Sequence, residues 1–178
     1  SLAGRPPPCR AFDVRVAADL SEAAYHRAAE FLAGLDSNWA RHIESTGPCR
    51  HEAKPAREPY EALVRAIAYQ QLHSKAGDAV VRRLLALYPG ASFPSPRQLL
   101  ETDPELQRTC GLSAAKLQTI RGIAQAALDG VVPTRPQAVL LSDDALVERL
   151  VSLRGVGRWT VEMFLIYTLE RSDVLPVD

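Results

Sequence analysis

The residues best equipped for chemistry crowd the end of the chain, over 150–178, LVSLRGVGRWTVEMFLIYTLERSDVLPVD. Gly155 and Gly157 stand one residue apart in Leu153-Arg154-Gly155-Val156-Gly157, between two stretches of helical pattern. Glycines so placed suit a hairpin whose backbone takes positive φ and lies close against another surface. The helix resuming at Arg158 puts Trp159, Met163, Ile166 and Tyr167 at helical spacing. Amides opening that helix have no partner inside it, which fits them to receive a phosphate. The indole face of Trp159 can attract a cation by about 0.5–2 kcal/mol. A short extended segment then ends in the carboxylate of Asp178. A plain turn between two packed helices would use the same glycines, and a bare Gly-x-Gly does not separate the two readings.

Taken together, these residues resemble the helix-hairpin-helix DNA glycosylase superfamily. Its signature is Leu-x-Gly-(Val or Ile)-Gly, a helix, and then Pro-x-Asp or Val-Asp; here these are Leu153-Arg154-Gly155-Val156-Gly157 and Pro176-Val177-Asp178. The run GVGRWTVEMFL is most similar to the alkylpurine branch, the DNA-3-methyladenine glycosylase II group. The similarity extends from Asp36 to the end and is densest over 60–75 and 150–178.

The resemblance implies a division of labour. An enzyme acting on a base in duplex DNA must draw it out of the stack. The hairpin around Gly155 and Gly157 would grip the backbone, with Arg154 and Arg158 adding charge. At the corner Gln70-Gln71-Leu72-His73, Leu72 would be the wedge entering the vacated space, and Gln71 and His73 would touch nearby bases or sugars. Core packing for Leu72 and an ordinary loop position for His73 are the competing readings. Trp159 would face the extruded base, with Met163 as a further pocket residue and Trp39, Tyr60 and Tyr167 as weaker ones; packing in the core competes for each. Bifunctional relatives carry a lysine at the Trp159 position, whose amine attacks the sugar. Tryptophan cannot, so the resemblance implies a monofunctional enzyme that releases an alkylated purine such as 3-methyladenine. Some relatives have a second aromatic where this chain has Met163, which bears on the breadth of substrates. Asp178 would be the catalytic carboxylate, stabilising positive charge on the sugar and orienting water. Gly111-Leu112-Ser113 with Lys116 matches a loop-to-helix turn of relatives, where Lys116 could meet phosphate. No metal or cofactor is implied, apart from a monovalent cation that relatives often hold at hairpin carbonyls. The partner would be double-stranded DNA containing alkylated bases, and the protein a cytoplasmic, bacterial-type, DNA-associated monomer. The alternative from another class is a non-catalytic helix-hairpin-helix DNA-binding module.

These residues need a scaffold, and composition bounds it. At 178 residues and 47% hydrophobic content the chain fits one soluble domain with an adequate core. Alanine and leucine dominate over β-branched runs, favouring helix. Twenty-one basic residues balance twenty-one acidic ones, so no global positive field advertises a nucleic-acid partner. A basic stripe of Arg65, Arg82, Arg83, Lys116 and Arg121 could supply one locally. Cys9, Cys49 and Cys110 are scattered and odd in number, as reduced thiols are, and neither zinc nor an iron–sulfur cluster has its ligand set. No apolar run reaches membrane-spanning length, and residues 1–10 lack the apolar core of a signal peptide.

The elements follow as an all-α bundle in two subdomains flanking a cleft. Residues 1–20 form an extended arm or β remnant, with Phe12, Val14 and Val16 alternating; 21–178 form the helix-hairpin-helix domain. Relatives continue past the catalytic carboxylate, so a truncated C-terminus is expected. Helical pattern runs from Ser21 to a stop at Gly34; Asp36 caps the next helix, and 47–59 is a loop. Pro59 opens a helix with the stripe Tyr60, Leu63, Val64, Ile67, Ala68 and Gln71. Ser74 caps the next, with Ala76, Val80, Leu84 and Leu87, and short turns fill 94–104. Ser113 caps a helix using Leu117, Ile120, Ala124 and Leu128. Ser142-Asp143-Asp144 starts the helix that enters the hairpin, its two acids suited to the positive end of the helix dipole.

Overall fold

In a computed structural model of the chain, residues 22–54 and 57–176 are described. They form ten α-helices and no strand. The arm at 1–20 and the alternation at Phe12, Val14 and Val16 lie outside the described residues, as do Val177 and Asp178.

The centre of the molecule is α3 (Pro59–Tyr69) against α7 (Ala114–Leu128). On α3 the expected stripe of Tyr60, Leu63, Val64, Ile67 and Ala68 is buried. Each of its larger aliphatic side chains stabilises the fold by about 1.5–3 kcal/mol relative to exposure. From α7 come Leu117, Ile120, Ile123 and Ala124; Leu128, expected in the same stripe, is exposed at the last turn. Around this pair pack α4 (Ser74–Ala86), α5 (Pro96–Glu101), α6 (Pro104–Arg108), α9 (Asp143–Val151) and α10 (Arg158–Tyr167). A short helix, α8 (Arg135–Leu140), contributes buried Ala138. It was not anticipated from periodicity, since six residues carry too little of it. Thr134 with Gln137 was the available signal: Gln137 Oε1 accepts the Thr134 amide at 3.0 Å.

The first two helices, α1 (Glu22–Ala33) and α2 (Ser37–Thr46), pack on each other and bury no residue fully. Asp36 caps α2 as expected, accepting from the amides of Asn38 at 2.7 Å and Trp39 at 3.0 Å. Contact with the larger group runs through the loop after α2. There His51 stacks 4.7 Å from Tyr167 of α10 and 5.9 Å from Tyr25 of α1.

Arginine and lysine do much of the internal fastening. Arg121 donates to the carbonyls of Leu99, Leu100 and Thr102 at the end of α5. Arg149 donates to those of Gly130 and Val131, Arg135 to that of Thr168, and Arg171 to those of Val139 and Leu141. Each cation meets carbonyls that helix ends and loops leave without partners. Arg171 also lies 3.3 Å from Asp143, whose carboxyl burial pushes above the usual range while Arg171 opposes the shift.

Candidate active site and nucleic-acid interface

The hairpin joins α9 to α10 through Ser152–Gly157, and its two glycines differ in purpose. Gly155 has φ +79°, and a Cβ there would stand 2.3 Å from Thr119 Oγ1 and 2.9 Å from Thr119 Cγ2. Both the backbone and the close seat on α7 therefore demand glycine. Gly157, expected to share the positive φ, has φ −89° and ψ 165°. It is the extended N-cap of α10, a Cβ there would meet nothing within 4 Å, and no side chain caps the helix. Between the glycines, Val156 is buried and pins the turn to the core. The hairpin thus presents an open helix start, the geometry that backbone amides need to receive an anion.

Beside it, Arg158 is 60% exposed while its partner Glu162 is 4% exposed, with Nε 2.8 Å from Glu162 Oε1. The buried carboxylate anchors the stem of the guanidinium and leaves its outer nitrogens at the surface. Arg154 is exposed as well.

The second element is the corner between α3 and α4. Gln70 leaves the helix at ψ 131°, and Gln71 sits at φ +58°, off the stripe it was expected to extend. A non-glycine residue there costs roughly 1–2 kcal/mol, so its surroundings must hold it. Leu72 is 38% exposed, projecting from the corner instead of closing the core. His73, not Ser74, caps α4: its Nδ1 accepts the Ala76 amide at 3.4 Å.

Lys116 corrects an expectation. Its Nζ lies 2.5 Å from the Gln70 carbonyl and 3.1 Å from that of Ala68, so it caps the end of α3 and is not presented to phosphate. The basic stripe dissolves similarly. Arg65 pairs with Glu61 at 2.7 Å, Arg83 donates to the Cys110 carbonyl, and Arg121 is folded into α5; only Arg82 of the five has no such bond among the described residues. Local sequence could not reveal this, because Lys116 meets carbonyls 46 and 48 residues away.

The third element is one face of α10. Thr160, Val161, Phe164 and Leu165 are buried, while Trp159 is 50% and Tyr167 44% exposed, with Met163 and Ile166 half-buried between them. Trp159 and Tyr167 are two turns apart, about 12 Å along the axis. This strip begins at the hairpin and ends at the His51 stack, a neighbour that no sequence signal announced. Tyr60 is withdrawn from any such face. It is buried, edge-on to Phe93 at 5.7 Å, with an unpartnered hydroxyl. It belongs to the core. Trp39 is exposed on α2, its ring 6.3 Å from that of His42. Among the described residues no three His, Cys, Asp or Glu side chains gather as a metal site, and no helix is long and apolar enough to cross a membrane. Cys49 is exposed and Cys110 buried, both free.

Comparison with known proteins fits this geometry. The chain is 45% identical over 148 residues to DNA-3-methyladenine glycosylase 1 of Schizosaccharomyces pombe, covering 83% of this chain and 65% of that one. It therefore spans just under two thirds of that relative's length. It is 36% identical to the alkylbase DNA glycosidase-like protein mag2 of the same organism, over 86% of this chain and 73% of the other. The solved structure of the S. pombe 3-methyladenine DNA glycosylase Mag1 in complex with abasic DNA superposes with a TM-score of 0.78 at 44% identity, covering 85% of this chain and 74% of that one. An 8-oxoguanine glycosylase/lyase of Clostridium acetobutylicum shares the fold at a TM-score of 0.67 and 16% identity. The sequence pattern of the HhH-GPD superfamily base excision DNA repair proteins matches residues 64–173, from the middle of α3 through the hairpin and α10, and the chain belongs to that superfamily.

Proposed function

We propose that this chain is the helical core of a monofunctional DNA glycosylase that hydrolyses the N-glycosidic bond of alkylated purines such as 3-methyladenine in duplex DNA. The observation that carries the reading is the half-exposed indole of Trp159, on the first turn of the helix that an open hairpin begins. A soluble helix gains nothing from leaving an indole there, whereas a cationic alkylpurine is drawn to its face.

In this reading amides at Gly157, Arg158 and Trp159 receive a phosphate, with Arg154 and the outer nitrogens of Arg158 beside them. Leu72 enters the stack from the corner, with Gln71 and His73 flanking it, and the damaged base turns out onto Trp159 and Met163. The C1′–N bond breaks with its electron pair going to the base, which leaves neutral because it began cationic. The deoxyribose is left as an oxocarbenium ion. Asp178, two residues beyond Pro176, stabilises that charge, orients water onto C1′ and takes up its proton. No lysine stands at position 159 to form a Schiff base, so the strand stays whole. No step requires a cofactor. A monovalent cation at the hairpin carbonyls would share the Gly155 oxygen with Gln70 Nε2, 3.5 Å away. The protein would act as a DNA-associated monomer in the cytoplasm.

The test is release of free base from methylated duplex DNA by the full-length protein and by its Asp178→Asn variant. The reading expects release by the parent and a loss of about 100-fold or more in the variant, the scale of a lost transition-state electrostatic contact. Equal release by both, or DNA binding with no release by either, would leave a non-catalytic DNA-gripping module.

A further inference from the structure

The wedge corner and the hairpin are separate in sequence but are fastened to the same turn of α7. Lys116 holds the corner through the Ala68 and Gln70 carbonyls. Three residues on, Thr119 forms the seat into which only a glycine at 155 fits. Gln70 closes the loop from the other side, its Nε2 3.5 Å from both the Gly155 carbonyl and Thr160 Oγ1 of α10. Leu72 and the helix start at Gly157 are thereby held at one spacing.

The fastening is specific to the strained part of the chain. Lys116 spans the two carbonyls on either side of Tyr69, immediately before Gln71 at φ +58°. A cation at the last turn of a helix meets both orphan carbonyls and the negative end of the dipole. Burial pushes the Lys116 ammonium below the ordinary lysine range, so this charge is kept here against a desolvation cost.

We propose that Lys116 and Gln70 are positioning residues for base eversion, fixing Leu72 relative to the phosphate gripped by the hairpin. The proposal rests on the glycosylase reading for its activity readout but not for its structural one. A wedge displaced by an ångström still lets the hairpin bind DNA, yet no longer stabilises the opened stack. Loss of either residue should therefore depend on how well the target base is stacked and paired.

Three variants of the full-length protein test this: Lys116→Met, Lys116→Arg and Gln70→Ala. The last leaves the carbonyl that Lys116 uses intact, so it stays informative if Lys116→Met does not fold. Single-turnover base release is measured with the lesion paired in duplex and with the lesion opposite an abasic site, where it is already loosened. Fluorescence of 2-aminopurine beside a non-hydrolysable lesion analogue reports unstacking without chemistry. Expected for Lys116→Met and Gln70→Ala is a loss of about 10- to 100-fold on the paired lesion, the scale of a misplaced positioning group. DNA affinity and release from the unpaired lesion should stay near those of the parent, and Lys116→Arg should restore part of the loss. Equal losses on both substrates, or no loss on the paired one, overturn the proposal. If the parent releases no base, the glycosylase reading fails alone; unstacking that still depends on Lys116 and Gln70 supports the positioning role, and unstacking indifferent to them ends it.

Discussion

Gly155→Ala isolates the seat on which the hairpin depends. At φ +79° an alanine costs about 1–2 kcal/mol in backbone strain alone. Its Cβ would also stand 2.3, 2.9 and 3.2 Å from Oγ1, Cγ2 and Cβ of Thr119. Thr119 is buried on α7 and β-branched, so it has no easy rotamer to retreat into. Overpacking of this kind costs about 1–3 kcal/mol. The smaller entropy of unfolded alanine offsets roughly 0.4–1 kcal/mol. The net expectation is a destabilisation of about 2–4 kcal/mol, read from urea unfolding midpoints at unchanged m. Thr119→Ala separates the two costs, because it removes Oγ1 and Cγ2 and leaves the strain. In that background only the strain less the same entropic offset remains, so Gly155→Ala should cost about 1 kcal/mol. Equal costs in both backgrounds would show that the contact carries nothing, and a cost below about 0.5 kcal/mol in the parent would refute the strain as well.

Gly157→Ala should behave in the opposite way. Its Cβ meets nothing and its φ is ordinary, so only the N-cap preference for glycine over alanine is lost, about 0.5–1 kcal/mol, well below the cost at Gly155. A methyl at the open helix start should nevertheless weaken binding to duplex DNA in a fluorescence anisotropy titration; unchanged affinity would place the phosphate elsewhere. High pH probes the tyrosines. Burial is the largest cause raising the pKa of Tyr25, Tyr60 and Tyr69, with the Tyr69 hydroxyl also donating to Asp78. The folded state then keeps these protons above pH 10 or so, where the unfolded chain releases them, so their contribution is complete below about pH 10 and is lost as pH rises further. Unfolding free energies measured from about pH 8 to about pH 11 should fall accordingly. Tyr60→Phe should flatten that fall and, by removing an unpartnered buried hydroxyl, stabilise the protein at neutral pH by about 1 kcal/mol. A profile unchanged by that substitution would contradict the assignment.

Local pattern made most of the helices legible. The stripe on α3, the Asp36 and Ser113 caps and the Gly34 stop are each written within a few residues, and there periodicity and capping chemistry decide the structure. Where two local candidates compete, the same reasoning slips by a residue, as when His73 takes the cap expected of Ser74. Gly155 and Gly157 look alike in sequence because a glycine required by φ and contact cannot be told from one left in open space. Nor does anything local distinguish a surface lysine from Lys116, whose partners lie across the bundle. The aromatic face of α10 was legible as spacing. Its continuation through Tyr167 to His51 was not, since that contact joins a loop to a helix more than a hundred residues on.

The balanced charge also takes on a different meaning in three dimensions. Read as a sum, it argues against a nucleic-acid partner. In the fold, however, Lys116, Arg121, Arg135, Arg149 and Arg171 are all occupied with backbone carbonyls, and Arg65 with Glu61. These side chains are held in the fold by those bonds instead of being extended toward a partner. What faces outward near the hairpin is a small set, Arg154 and the free end of Arg158, beside amides that carry no formal charge at all. A helix start contributes about half a unit of positive charge without adding to any count of basic residues. Net charge therefore understates this surface, because an open helix start adds positive potential from the main chain, while several of the lysines and arginines that the count includes are holding the bundle together.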